Sequence, residues 1–246
     1  MRERTVFRIT GEDHVAFLQN LVTNDVGGVS DGLVWTALLT PQGKYLADFF
    51  LVPEGPESLL IDVDAALAPG LAQRLTMYKL RASVTIDPTD ITVATGPGAP
   101  SEGAFADPRD PALGWRAYDG RASVDQPFDA LRVAHCIPES AIELMPNDTY
   151  PLEAGFERLN GVDFRKGCYV GQEVTARMKH KTELKKGYRT VLVDGAAPVG
   201  TEIKTADGKT AGTLYSQADG KGIAYLRFDR AKGDLTAGEA TLRLAP

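Results

Sequence analysis

An α+β body followed by a small all-β module is what this sequence predicts. Three observations carry the prediction. Helix-like and strand-like stretches mix irregularly up to about residue 160. From Tyr188 onward only short β-like runs remain, punctuated by Asp-Gly pairs. Of the 246 residues, 43% are apolar, enough to fill a body core and a small module.

In chain order, Thr10 to Asn24 reads as a helix. Thr10 and Asp13 resemble a capping box, and Val15, Leu18, Leu21 and Val22 form an apolar stripe. Residues 34–40 and 44–52 read as a hairpin joined by Pro41-Gln42-Gly43, and 59–63 as a further strand. Pro69 opens a second helix that ends at Leu80. Short strands over 83–86 and 91–95 precede a Gly-, Pro- and Asp-rich loop over 96–114. Phe128–Val133 reads as a strand, with helical signal over 138–145 and 151–160. In the last 60 or so residues, runs at 188–193, 210–215, 222–228 and 240–244 alternate with Asp194-Gly195, Asp207-Gly208 and Asp219-Gly220. Such pairs between apolar runs signal hairpins, so a small barrel is expected. The expected division is 1–183 for the body and 184–246 for the barrel, with the boundary near Lys181–Gly187.

A net charge of −6 disfavours nucleic acid as a partner. No apolar run approaches a membrane span, so no membrane partner is expected either. Two cysteines, Cys136 and Cys168, do not make a disulfide scaffold, and the N-terminus carries no apolar leader; a cytoplasmic location is expected. The charge is uneven. Residues 165–189 hold eight of the 27 basic residues and two of the 33 acidic ones. That stretch is either a solvated face or a site for an anion.

The segment Phe164-Arg165-Lys166-Gly167-Cys168-Tyr169-Val170-Gly171-Gln172-Glu173 carries the most information. Two glycines around a cysteine–aromatic pair suggest a shaped turn that presents a thiol. Lys166 and Arg165 beside it, and a helix starting at Gln172, would favour thiolate, the nucleophilic and metal-binding form. The plainer alternative for Cys168 is a small buried hydrophobe. Cys136 lies in an apolar stretch and reads as core. The cysteine spacings of structural zinc and permanent iron–sulfur sites are absent, and no metal site is expected.

Lys166-Gly167-Cys168-Tyr169-Val170-Gly171-Gln172-Glu173 resembles the K-G-C-aromatic-x-G-Q-E signature of the YgfZ-type folate-binding family, relatives of the glycine-cleavage aminomethyltransferase. The likeness continues in Gly11-x-Asp13 with Phe17–Val26, in Trp35–Leu39 through Gly43-Lys44, and in Tyr78-Lys79-Leu80-Arg81. The resemblance implies an aminomethyltransferase-like body around a central cavity for tetrahydrofolate, a C-terminal β-barrel, and a role in synthesis or repair of iron–sulfur clusters. Client enzymes or assembly proteins would be its partners, and the motif cysteine its central residue.

On that resemblance, Asp48 matches the functional aspartate near the folate nitrogen, where a carboxylate can hold or exchange a proton. Trp35 falls where an aromatic stacks on the pterin, Phe128 is a second aromatic candidate, and Asn24 a partner for the pterin edge. Lys166, Tyr169, Gln172 and Glu173 complete the expected site around Cys168. Arg177, Lys179 or Lys181 would receive the anionic folate tail. Two departures weaken transferase activity: Ala47 stands beside Asp48 where the family has a second aspartate, and Ala134 follows Arg132-Val133 where the enzyme has a glutamate. A folate-dependent iron–sulfur maintenance factor is therefore the first expectation, and an aminomethyltransferase-like one-carbon transfer enzyme the alternative.

Overall fold

The protein is described here from a computed structural model covering residues 2–180 and 183–245. Part of the expected boundary, Lys181 and Thr182, lies outside the described residues.

The body is built on an antiparallel five-stranded sheet in the order β2-β3-β4-β1-β5. Its strands are β1 (Arg4–Thr10), β2 (Val34–Leu39), β3 (Tyr45–Gly55), β4 (Ser58–Asp64) and β5 (Thr85–Pro88). The first eight residues of β3 and all of β2 are buried, because the sheet is covered on both faces. Side chains alternate across the pleat. Phe49 and Leu51 therefore enter one core with α1 (His14–Gln19) and α2 (Ala68–Lys79), while Phe50 and Val52 enter another with Trp35 and Phe156. Each such fully buried side chain contributes about 1.5–3 kcal/mol by leaving water.

A smaller sheet, β6-β8-β7, joins β6 (Ala94–Gly96), β7 (Ala104–Ala106) and β8 (Trp115–Ala117). Its strands flank and interrupt the stretch 96–114 expected to be a loop: β6 ends at its start, β7 lies within it and β8 follows it. Two other expectations are corrected nearby. Phe128–Ala134 is a helix, α3, and not a strand, and 138–145 and 151–160 are turns without an α-helix. Thr10 ends a strand and caps nothing: the Asp13 carboxylate instead accepts from the Ser83 amide at 2.7 Å.

After α4 (Gln172–His180) the chain enters a closed six-stranded barrel, ordered β10-β11-β12-β9-β14-β13. Its strands are β9 (Lys186–Asp194), β10 (Thr201–Thr205), β11 (Thr210–Ala218), β12 (Lys221–Arg227), β13 (Leu235–Ala237) and β14 (Ala240–Leu244). Asp207-Gly208 and Asp219-Gly220 do turn hairpins. Asp194-Gly195 leads into the loop before β10, which does not pair with β9.

Candidate functional site

The motif segment is fixed from four sides and leaves its thiol in solvent. Cys168 is exposed, as are Arg165 and Gly167. The next two side chains turn inward: Tyr169 is buried in the Trp35 core, and Val170 packs against the core on the other side of the sheet. Gly171 has φ +84°, and a Cβ there would lie 2.6 Å from the Thr40 carbonyl oxygen. Across the contact, Gly43, in the turn between β2 and β3, has φ +72°, and its missing Cβ would collide with Val174 at 2.8 Å. Two glycines thus let the motif dock backbone-close on the hairpin turn. Gly167 has open space and no left-handed backbone, so only one of the two motif glycines works as expected.

Lys166 does not act as expected either. Its Nζ donates to the carbonyls of Gln19 (2.9 Å), Val22 (2.6 Å) and Asn24 (2.7 Å). An ammonium has three protons, and all three serve carbonyls at the last residue of α1 and in the loop that follows it. Its charge is spent there and not on the thiol. Burial holds the ammonium down to about 8, with Asp25 and Asp163 opposing that shift. Gln172 starts α4, its amide donating to the Tyr169 carbonyl at 3.2 Å, and Glu173 is exposed in the first turn, where its charge suits the helix N-terminus.

The expected pterin residues lie apart from this loop, inside the body. Asp48 is 4% exposed and accepts from Trp35 Nε1 (2.9 Å), Tyr45 Oη (2.6 Å) and Ser140 Oγ. Trp35 is fully buried, with Phe156 against it at a ring distance of 4.3 Å. Asn24 Nδ2 donates to the carbonyls of Trp35 (2.9 Å) and Asn160 (2.7 Å), and its Oδ1 accepts from the Asp25 amide. Phe128 is buried at the start of α3.

Guanidinium groups cover the same core. Arg116 lies 4.0 Å and Arg109 5.0 Å from the Phe50 ring centroid, and Arg109 5.9 Å from that of Trp35. Arg116 bridges Asp62 (2.8 Å) and Asp107 (3.2 Å), and Arg109 pairs with Asp107 at 2.8 Å. The two arginines hold the Asp107 carboxyl down to about 2 against the effect of burial. The sequence hides this network, because Asp107-Pro108-Arg109-Asp110 reads as a turn. Trp35, Asp48 and Asn24 are thus all partnered within the body: Trp35 by Phe156, Asp48 by three donors and Asn24 by two carbonyls.

A cavity of about 300 Å³ does open between body and barrel, walled by Tyr150, Tyr188, Tyr215, Tyr225, Lys44 and Glu153. Tyr188 stands 5.2 Å from Tyr225 and 5.9 Å from Tyr215 between ring centroids, and Lys44 Nζ lies 4.0 Å from the Tyr150 ring. Lys186 also reaches this cavity. Of the expected tail cations, Lys179 pairs with Glu157, Arg177 is exposed, and Lys181 is outside the described residues.

Body, barrel and exposed motif loop define a protein of aminomethyltransferase-like architecture. The solved glycine cleavage system aminomethyltransferase T of Bartonella henselae superposes with a TM-score of 0.74 over 99% of this chain and 83% of that one, at 12% identity, which establishes the fold. Residues 185–246 match the family profile described as CAF17, C-terminal beta-barrel domain. Among curated proteins, the mitochondrial iron-sulfur cluster assembly factor IBA57 of Mus musculus is 31% identical, over 94% of this chain and 78% of its own length. The human protein of that name is 30% identical over the same shares. The Neurospora crassa homolog is 32% identical over 80% of this chain, which spans about half (54%) of that relative. The chain belongs to the IBA57 family of iron–sulfur cluster assembly factors. These relatives are named mitochondrial, which overturns the expectation of a cytoplasmic location. Scarce cysteines constrain redox state and not the organelle.

Proposed function

We propose that this chain serves iron–sulfur cluster assembly and that Cys168 is the thiol it contributes. The observation that carries the proposal is an exposed cysteine on a segment anchored on both sides of it: at Lys166 by three carbonyls, at Tyr169 by the core and at Gly171 by the hairpin turn. A thiolate is a soft ligand for iron. A thiol on an anchored backbone segment meets a docking partner without that segment first having to be ordered. Among the described residues no group of three or more His, Cys, Asp or Glu side chains is placed to hold a metal ion. A cluster at Cys168 would therefore take its remaining ligands from an assembly protein or client that docks on this face. In cells deprived of the protein, Cys168→Ala should fail to restore a cluster-dependent enzyme while the purified variant keeps its melting temperature. Full rescue by that variant would remove the proposal.

Tetrahydrofolate belongs to the proposal as a ligand of the tyrosine-walled cavity. The support is chemical: ring faces suit a flat heterocycle, and Lys44 and Lys186 suit its carboxylates. No chemical step is assigned to it. Calorimetric titration with tetrahydrofolate should show binding that Tyr215→Ala weakens and Trp35→Phe leaves in place. One-carbon transfer is the weaker reading, because three donors already occupy Asp48.

A further inference from the structure

A second groove, of about 580 Å³, runs along the other side of Tyr188, walled by Cys136, Leu152, Ala154, Arg158 and Arg189. Body and barrel each supply one arginine. Arg158 Nη2 donates to the Cys136 carbonyl at 2.6 Å, and Arg189 Nη1 to the Tyr188 carbonyl at 2.8 Å. A guanidinium carries five N–H donors, so most of those on both side chains remain to be used. Among the described residues neither arginine forms an ion pair, and Glu157, the acid of this groove, is taken by Lys179. Two cations therefore line one groove whose single acid already has a partner of its own. The fork geometry of guanidinium matches carboxylate and phosphate oxygens. Leu152, Ala154 and the Tyr188 ring offer apolar contact beside the two forks.

We propose that this groove binds a small molecule bearing two or more oxyanion groups, carboxylate or phosphate, bridged between Arg158 and Arg189. The site is separate from the Cys168 segment, and its failure would leave the cluster-assembly reading untouched.

Cys136, in the groove wall, makes the site readable. Alkylation of the native chain is followed peptide by peptide, so that Cys168 serves as the reference thiol. Iodoacetate is anionic and iodoacetamide neutral, and in both cases the thiolate displaces iodide. The reaction is run at constant ionic strength with or without millimolar citrate or pyrophosphate. Cys136 alkylation is expected to slow about threefold or more when a fitting anion fills the groove. The effect should vanish in Arg158→Gln with Arg189→Gln, while Cys168 reacts as before. The iodoacetate-to-iodoacetamide rate ratio at Cys136 should fall in the same double variant. Protection by citrate alone marks a carboxylate ligand, and by pyrophosphate alone a phosphate ligand. Should the double variant fail to fold, Arg158→Lys, which keeps charge but loses the fork, should still weaken protection. No protection by either anion, or protection that survives loss of both guanidiniums, overturns the proposal.

Discussion

At the scale of single residues, Lys166 shows how a motif position can be legible while its task is not. Its place in the segment marks it as functional, but the carbonyls it holds lie 142 to 147 residues away. Nothing local in the sequence points to them. Burial lowers its ammonium to about 8, below the ordinary lysine value of 10.5. Between those values the unfolded chain binds more protons than the folded one, so the lysine's contribution to stability rises with pH across that window. Asp25 and Asp163 oppose the shift. Chemical denaturation of wild type against Lys166→Met should show the difference growing in favour of wild type from about pH 8 to 10.5. Asp48 teaches the reverse lesson. Its interruption of an apolar strand stands out in the sequence, but its three donors come from Trp35, Tyr45 and Ser140, and the last of these lies 92 residues on.

At the scale of elements, the contact between the Gly43 turn and the Gly171 loop holds the exposed thiol in place. Gly171→Ala brings a Cβ into the Thr40 carbonyl and a left-handed backbone onto a side-chain residue, with an expected cost of about 2 kcal/mol or more. Gly167→Ala meets open space and should change stability by less than about 0.5 kcal/mol. Thermal melts of the two variants side by side check the pair. The β2–β3 hairpin, α2 and four of the barrel strands were readable because their apolar periods run long enough between clear turn residues. Phe128–Ala134 was not: a short apolar run fits strand and helix alike, and burial of Phe128, Arg132 and Val133 on one side decides for the helix. The strands β7 and β8 are three residues each and lie in a Gly- and Pro-rich stretch, so they depend on pairing with β6 and with each other.

At the scale of the whole molecule, body and barrel are joined by buried charge. Arg132 of α3 pairs with Glu143 (3.1 Å), Glu139 (3.2 Å) and Asp129 (2.8 Å), and reaches Ser216 Oγ of β11. Glu143 also accepts from the Ser216 amide at 3.2 Å, and its carbonyl accepts from Tyr188 Oη of β9. Glu143→Ala leaves Arg132 buried with less counter-charge and cuts the link to β11. It should cost about 3–5 kcal/mol and split the calorimetric transition into separate body and barrel steps. This joint escaped the sequence, where Arg132 drew notice only for the alanine two places on. What the assembled molecule offers outward is the exposed thiol of Cys168. Purified chain treated with ferric iron, sulfide and glutathione, which supplies the remaining thiolates, tests by visible absorption whether that thiol ligates a cluster. Wild type and Cys136→Ala should develop the same sulfur-to-iron absorption on the protein, and Cys168→Ala should develop none; equal absorption in Cys168→Ala would show that Cys168 is not the ligand.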